Sequence, residues 1–356
     1  MKKTLAAVAV LGAFAGSALA ADVTLYGKVD LGLQYTHTDN GDETVDSWGM
    51  KSGGNASSRF GFKGSEQISE GLTVGFQLEH GFNADDASET KLFSRESRLY
   101  VATDYGTLHM GHFGRLDGGT GSLDLLGGMT ATGTGYGDYV ADLASVFYVA
   151  DPAREANSIA YVSPEFAGMK VSAMASLGKD TKGTKATNDA DITYAEGSSQ
   201  VDRYYGLGVN GNWGALGAGL VVSVEDFGSK ATGRDVERDD SKNVTAGVNY
   251  DFGVAKAYLA ANYHDYGMKT DKKQWGVAVG SEAAIGAGNL EVSLGYGEVS
   301  EDDAKDVETI MFGAMYTYPL SKRTYVYAGA GYTQEDNGVD DKVKGTQVMS
   351  GICHNF

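Results

Sequence analysis

The chain has 356 residues, of which 51 are glycine and 21 are tyrosine, but only 3 are proline and 1 is cysteine. The single cysteine, Cys353, excludes an internal disulfide framework, and the formal net charge of −18 disfavours a nucleic-acid partner, because phosphate binding needs a basic face. The scarcity of proline suits pleated sheet, since proline within a strand removes a donor from the hydrogen-bond ladder.

The first twenty residues are predicted to form a signal peptide. Lys2 and Lys3 give a charged start, an apolar run follows from Leu5 to Ala15, and Ala18–Ala20 provides a small-residue cleavage site. The apolar run is too short to cross a bilayer as a helix. We therefore expect cleavage after Ala20, and an exported mature chain, residues 21–356, that forms one domain.

From Val23 onward, apolar and polar residues alternate along short segments. In residues 23–36 the odd positions are almost all apolar, whereas the even positions include Lys28, Asp30 and Gln34. Side chains two positions apart share one face of a strand, so this segment predicts a strand with one apolar and one polar face. The pattern recurs to Phe356 and indicates about sixteen strands.

The connections between these segments alternate between short turns and longer polar stretches, among them His37–Ser57, His80–Arg95, Phe113–Ala156 and Thr333–Gly345. Such an arrangement is expected of antiparallel strands with all turns at one end and all loops at the other. Aromatic residues at many strand ends are typical of interfacial girdles; they are Tyr35, Tyr250, Tyr263, Trp275, Tyr296, Tyr316, Tyr318 and Tyr332. These features favour a transmembrane β-barrel over a soluble sandwich, which would turn its apolar faces inward.

The stretch from Phe113 to Ala156 is the longest without alternation, and it is rich in glycine. A structureless insert of this length argues against a compact domain unless the loop has a function of its own. We therefore predict that this loop is functional.

Four segments resemble the general porins of Gram-negative bacteria, especially those of the β-proteobacterial type: VTLYGKVDLGLQY (23–35), SRFGFKGSEQISEGLTVGFQLE (58–79), NSIAYVSPEFAGMKV (157–171) and YPLSKRTYVYAGAGY (318–332). Their order and spacing match over essentially the whole mature chain. The resemblance implies an all-β, sixteen-stranded antiparallel barrel in the outer membrane, assembled as a homotrimer. It also implies passive diffusion of small hydrophilic solutes and ions.

The resemblance further implies that the third long loop, residues 113–156, folds into the lumen and narrows it. Charged side chains around a narrow pore select ions, and the candidates here are of two kinds. Wall candidates face the lumen by alternation or stand near a strand start: Lys28, Arg59, Lys63, Arg98 and Arg154. Loop candidates are Asp117, Asp124, Asp138 and Asp142. The sign of the selectivity stays open, because net charge is dominated by exterior loops whereas selectivity follows the constriction.

The C-terminal residue, Phe356, follows an alternating segment and resembles the signal read by the outer-membrane barrel assembly machinery. The family tends to carry a basic residue where this chain has Cys353, which alternation places on the lumen side. Acidic exterior loops could bind divalent cations that bridge lipopolysaccharide, although hydrated, variable loops are the simpler interpretation.

Other motifs do not carry a function. His109 and His112 are three residues apart on a strand and point to opposite faces, and the glycine pattern at 206–211 is followed by no helix, which a dinucleotide site needs. No cofactor or metal site is predicted.

A solute-selective channel is the alternative within transport, but Tyr100 and Tyr258 are too few for an aromatic track. A structural or adhesive surface barrel would need longer loops. The sequence thus predicts a non-enzymatic porin.

Overall fold

The computed structural model describes residues 23–88, 91–126, 154–178, 181–184, 191–194, 201–227, 239–336, 338 and 342–356. In this part of the chain no helix has the length and apolar character that spanning a membrane requires. The regular structure there consists of strands, which are β1 (Thr24–Asp39), β2 (Thr44–Ser52), β3 (Arg59–Ser69), β4 (Leu72–Gly81), β5 (Glu96–Thr103), β6 (Gly106–Gly114), β7 (Arg154–Val162), β8 (Met169–Ser176), β9 (Thr181–Thr184), β10 (Asp191–Tyr194), β11 (Arg203–Trp213), β12 (Leu216–Asp226), β13 (Ser241–Asp251), β14 (Lys256–Asp265), β15 (Lys273–Ile285), β16 (Gly288–Ser300), β17 (Val307–Pro319), β18 (Thr324–Asp336) and β19 (Val343–Asn355).

Antiparallel pairing closes one 17-stranded sheet into a barrel. Strand β8 pairs with β11, past the separate hairpin β9–β10, and β19 pairs back with β1. Strands β2 and β3 pair with the two ends of β1 and together occupy one position in the wall. Counting that pair once leaves sixteen positions, so the predicted sixteen-stranded antiparallel barrel is confirmed.

The two faces of the wall have opposite character. Large apolar side chains project outward and stay exposed, for example Leu207, Leu220, Leu259, Leu294 and Phe312. Polar side chains on the other face are buried, including Ser223, Asn262, Gln274, Thr309 and Gln347. A soluble protein would bury the first set and expose the second. This inversion is the pattern of a barrel whose outer face meets lipid.

Two predicted loops were too long. Strand β1 continues to Asp39 and β2 begins at Thr44, so most of His37–Ser57 is a hairpin extension. Its polar residues pair across the strands: the Tyr35 and Trp48 rings lie 4.8 Å apart, and the hydroxyl oxygens of Thr36 and Ser47 lie 2.8 Å apart. Likewise β18 reaches Asp336 and β19 begins at Val343, within the predicted loop Thr333–Gly345. Alternation fails to mark these ends because both strand faces carry polar residues there.

Between β2 and β3 the chain leaves the wall for the six residues Gly53–Ser58, which we call the inward segment. Gly53 has a φ of 75°, a left-handed conformation that suits glycine. The Asn55 side-chain N–H donates to the Tyr325 hydroxyl at 2.8 Å. Tyr325 and Asp30 are both register partners of the buried Cys353 and share its lumen face. The segment therefore turns into the lumen, and Cys353 lies on the predicted side of the wall.

The last residue completes the seam between the two terminal strands. The Gly27 N–H donates to the Phe356 carbonyl at 3.1 Å, and the Phe356 N–H donates to the Gly27 carbonyl at 3.0 Å. These two bonds extend the β1–β19 ladder beyond Asn355. Phe356 thus has a structural place in barrel closure.

Candidate constriction of the lumen

The chain turns into the barrel over residues 113–126, which are the last two residues of β6 and the described start of its connection to β7. Its apolar side chains Phe113, Leu116, Leu123 and Leu126 are buried against four wall residues, Ala160, Met174, Tyr204 and Val221. These wall residues alternate with exposed outward ones such as Ile159 and Val222, so they face the lumen. The inward folding predicted for the third loop is therefore confirmed for this part of it. We call residues 113–126 the inner loop.

The wall makes room for the inner loop. A Cβ atom placed on Gly208 of β11 would lie 2.5 Å from Leu125 Cδ1. A side chain at that position would press on the end of the Leu125 side chain, which would have to shift. Glycine at this wall position thus lets the loop lie directly on the strands.

Asp117 fastens the inner loop to three wall strands. Its Oδ1 accepts a hydrogen bond from the Tyr204 hydroxyl at 2.8 Å. Its Oδ2 accepts one from the Ser223 hydroxyl at 2.6 Å and one from the Asn243 side-chain N–H at 2.8 Å. Hydrogen bonds to an ionised carboxylate are stronger than neutral ones. The carboxylate of Asp117 is thus directed at the wall.

Arg115 provides a second fastening. Its Nη2 lies 2.5 Å from Glu155 Oε1 and 2.5 Å from Glu225 Oε1, and its guanidinium carbon stands 4.7 Å from the centre of the Tyr204 ring. Burial lowers the pKa of the Arg115 guanidinium, but Glu225 and Glu155 outweigh it and raise the pKa above its ordinary value. The loop cation therefore stays charged between its two carboxylates.

Basic side chains gather on the lumen face where β1, β3, β5 and β7 meet the inner loop. Lys28 and Arg59 are register partners, Arg95 precedes β5, and Arg154 begins β7. Glu79 Oε1 lies 2.7 Å from Arg95 Nε and 3.6 Å from Arg59 Nε. We call Lys28, Arg59, Arg95 and Arg154 the basic cluster.

The basic cluster also contacts the inner loop. Arg154 donates from Nε to the Arg95 carbonyl and from Nη2 to the Thr120 hydroxyl, both at 2.8 Å. Nearby, Glu96 accepts a hydrogen bond from the Ser122 N–H at 2.8 Å. The inner loop and the basic cluster are thus connected, and the four cations of the cluster outnumber the two carboxylates, Glu79 and Glu96, that adjoin them.

A polar recess of about 360 Å³ adjoins the cluster. Three cations line it, Lys51, Arg95 and Arg154, together with hydroxyl and amide groups of Ser52, Ser57, Ser58, Asn83, Ser88 and Ser94. The described residues that line this recess include no carboxylate. Its chemistry is that of an anion site, since arginine and lysine bind oxyanions.

The other two wall candidates, Arg98 and Lys63, make contacts of a different kind. The Arg98 side chain is only 9% exposed; it pairs with Glu96 at 3.2 Å and bonds to Gln77 at 2.8 Å. Lys63 is exposed and lies four residues beyond Arg59 along β3, or about 13 Å, with its Nζ 5.1 Å from the centre of the Tyr26 ring.

Of the loop candidates, Asp117 bonds to the wall as described, and Asp124 accepts the Leu126 N–H at 3.2 Å in a local turn. Asp138 and Asp142 lie outside the described residues. Sequence reasoning missed Arg95, because it ends a predicted loop where alternation assigns no face. Proximity to a strand start, the criterion that selected Arg154, also selects Arg95.

Comparison with known proteins identifies the relatives of this chain. A family model described as Gram-negative porin matches residues 6–338. Outer membrane porin protein 32 of Delftia acidovorans is 29% identical over 378 residues, and an outer membrane porin protein of Bordetella pertussis is 28% identical over 409; each alignment covers 100% of both chains.

Two solved structures share the fold. The first is an anion-selective porin from Comamonas acidovorans, with a TM-score of 0.65, 24% identity, and coverage of 95% of this chain and 100% of that one. The second is a loop-deletion mutant of the outer membrane protein OmpT of Vibrio cholerae, with a TM-score of 0.64, 16% identity, and coverage of 95% and 100%.

Proposed function

The chain belongs to the Gram-negative porin family, and from that premise we propose that its channel prefers anions and selects them at the basic cluster. As an outer-membrane porin it forms a water-filled channel through which small hydrophilic solutes and ions diffuse. The proposal concerns the sign of the charge selection and the residues that cause it.

One observation carries the proposal: four cations of the wall converge beside the inner loop. Fixed charges that line a narrow, water-filled gap concentrate ions of opposite sign and repel those of like sign. Glu79 pairs with Arg95 and Arg59, which leaves an excess of positive charge. The recess beside the cluster, whose described lining residues include three cations and no carboxylate, supports the same sign. The name of the Comamonas porin agrees with it.

The predicted site residues then divide by role. Lys28, Arg59 and Arg154, with the added Arg95, supply the selecting charge. Arg98 holds Glu96 in place, because its guanidinium is nearly buried between its partners. Asp117 anchors the inner loop. Lys63, Asp124, Asp138 and Asp142 stay predictions as constriction residues.

The test is the zero-current potential of purified protein in planar bilayers under a salt gradient. We expect the wild type to favour anions, and Arg59→Glu or Arg154→Glu to shift the permeability ratio strongly toward cations. Lys342→Glu is the control, since it makes the same charge change in the exposed connection between β18 and β19. A cation-preferring wild type, a ratio that both arginine variants leave unchanged, or an equal shift in Lys342→Glu would overturn the proposal.

We also propose that the channel works as a homotrimer among outer-membrane lipid and lipopolysaccharide. The apolar outer face supports contact with lipid. One structure of the same fold is described as the trimer form of Vibrio cholerae OmpT. Analytical ultracentrifugation of the detergent-solubilised protein should give three times the mass of one mature chain.

Two further proposals concern export and assembly. Residues 1–20 act as a cleaved signal peptide, so the N-terminal sequence of the mature protein should begin at Ala21. Phe356 is read by the barrel assembly machinery, and its bonds to Gly27 give it a second role in closure. Deletion of Phe356 should lower the amount of folded protein in the outer membrane, which surface labelling would measure.

A further inference from the structure

The inward segment Gly53–Ser58 is held chiefly by one residue, Asp30 of β1. The Asp30 Oδ2 accepts the backbone N–H groups of Asn55 at 3.0 Å and Ala56 at 2.8 Å. The Asp30 carbonyl accepts the Gly53 N–H at 3.0 Å, and the Asp30 N–H donates to the Ser58 hydroxyl at 3.1 Å. The segment therefore bonds to Asp30 at both ends and at its middle.

The far side of the barrel seam supplies further contacts. The Tyr327 hydroxyl of β18 donates to Asp30 Oδ1 at 2.6 Å. Asn55 reaches the neighbouring Tyr325 hydroxyl, and Gly54 packs against Tyr327 and Met349. Asp30 is fully buried, at 0% exposure, so its charge serves these donors and does not meet passing ions.

The segment in turn borders the basic cluster. The Ser57 carbonyl accepts a hydrogen bond from Arg59 Nη1 at 3.2 Å, and Arg59 follows the segment directly in the chain. Gly53, Ser57 and Ser58 also line the recess beside the cluster. The segment therefore lies in the lumen beside the basic cluster and, together with Glu79, orients the Arg59 guanidinium.

We propose that Gly53–Ser58 is a second constricting element of the channel, and that Asp30 and Tyr327 form the latch that keeps it in the lumen. The claim on width rests on the inward position of the segment, whereas the claim on ion selection rests on the proposed function. Asp30 is thus a positioning residue for the channel.

Two roles for Asp30, a negative charge of the pore and a latch for the segment, predict opposite changes in anion preference for Asp30→Asn. If Asp30 acted only as a negative charge of the pore, Asp30→Asn would raise the preference for anions. If Asp30 is a latch, Asp30→Asn frees the segment and Arg59, so single-channel conductance rises and anion preference falls. Loss of one charged hydrogen bond should shift the equilibrium toward the released segment by roughly tenfold or more.

Tyr327→Phe tests the latch without a change of charge. It removes one hydrogen bond of the carboxylate, so we expect a smaller change of the same sign as with Asp30→Asn. Tyr258→Phe is the matched control, because the Tyr258 hydroxyl also donates to a carboxylate, that of Glu282, at 2.7 Å, away from the segment. Glu282→Gln is the matched control for the loss of charge.

The experiment records single-channel conductance and zero-current potential for these four variants and the wild type, each checked for folding by its shift on unheated SDS gels. Higher conductance in Asp30→Asn and Tyr327→Phe, with neither control changed, supports the latch. Wild-type conductance in Tyr327→Phe, and in Asp30→Asn if it folds, would overturn it. A cation-preferring wild type with raised conductance in the latch variants would contradict the proposed anion selectivity but still support the second constriction.

Discussion

Among the described residues, two segments enter the lumen, and each is fastened by an aspartate that accepts a hydrogen bond from a tyrosine hydroxyl. In the inner loop the pair is Asp117 with Tyr204; in the inward segment it is Asp30 with Tyr327. The inner loop also buries four large apolar side chains against the wall, whereas the apolar contacts of the inward segment are those of Ala56 and Gly54. The same polar fastening thus supports two very different amounts of packing.

The amount of apolar packing determines how each segment responds to a substitution. A fully buried leucine or phenylalanine contributes about 1.5–3 kcal/mol, so the inner loop distributes its hold over many contacts. A hydrogen bond to a charged group contributes about 1.5–3 kcal/mol, and the inward segment relies on a few of these at one carboxylate. A single substitution should therefore leave the inner loop in place, whereas a comparable substitution at Asp30 should release the inward segment.

The largest expected effect is on stability, at Arg115. Arg115→Ala leaves Glu155 and Glu225 without their shared cation, and breaking a buried ion pair from one side costs about 3–5 kcal/mol. Urea unfolding of the detergent-solubilised protein measures this loss of unfolding free energy. Arg115→Lys keeps the charge and should lose less. An unfolding free energy for Arg115→Ala equal to that of the wild type would contradict the ion-pair fastening.

A smaller loss is expected at Leu116, which is fully buried in the inner loop. Leu116→Ala should lower the unfolding free energy by about 3 kcal/mol, yet leave conductance near the wild-type value, because Phe113, Leu123 and Leu126 still hold the loop. The measurements are urea unfolding and bilayer conductance on the same preparation. If the conductance of Leu116→Ala rose as high as that of Asp30→Asn, the inner loop would be no more secure than the inward segment, which contradicts this comparison.

The smallest effect should follow from Asp117→Asn, which sharpens the comparison of the two aspartates directly. The amide keeps one acceptor oxygen but loses the charge, at a cost of about 2 kcal/mol. We expect a smaller rise in conductance than in Asp30→Asn, measured side by side in bilayers. If the two aspartate variants behave alike, packing does not secure the inner loop.

Sequence reasoning found one inward segment and missed the other for a physical reason. More than forty residues without alternation mark the third loop, whereas Gly53–Ser58 is only a short gap between β2 and β3. That gap lies inside the predicted loop His37–Ser57, where polar side chains on both faces concealed β2. No local sequence pattern could predict the latch, because Asp30 and Tyr327 are 297 positions apart.

For the candidate site, the sequence predicted which face of the wall a side chain occupies but not which partners it contacts. Alternation gives the face of a side chain, and it placed Lys28 and Arg59 on the lumen side, where they are register partners. It does not give what a side chain meets there. Arg98 has the predicted face but is enclosed by Glu96, Gln77 and His109. Asp117 likewise has partners on three strands that are distant in sequence.

The bond between Tyr327 and Asp30 also imposes an order of events on assembly. Its partners belong to strands near opposite ends of the chain, β18 and β1, which come together only when β19 pairs with β1. Contacts between residues so far apart in sequence form late, because the entropy of joining the chain ends must be overcome first. Until the seam closes, the inward segment can bond to Asp30 but not to the barrel's last strands. A barrel still open at its seam therefore lacks one half of the latch, and sealing the wall also secures this part of its filter.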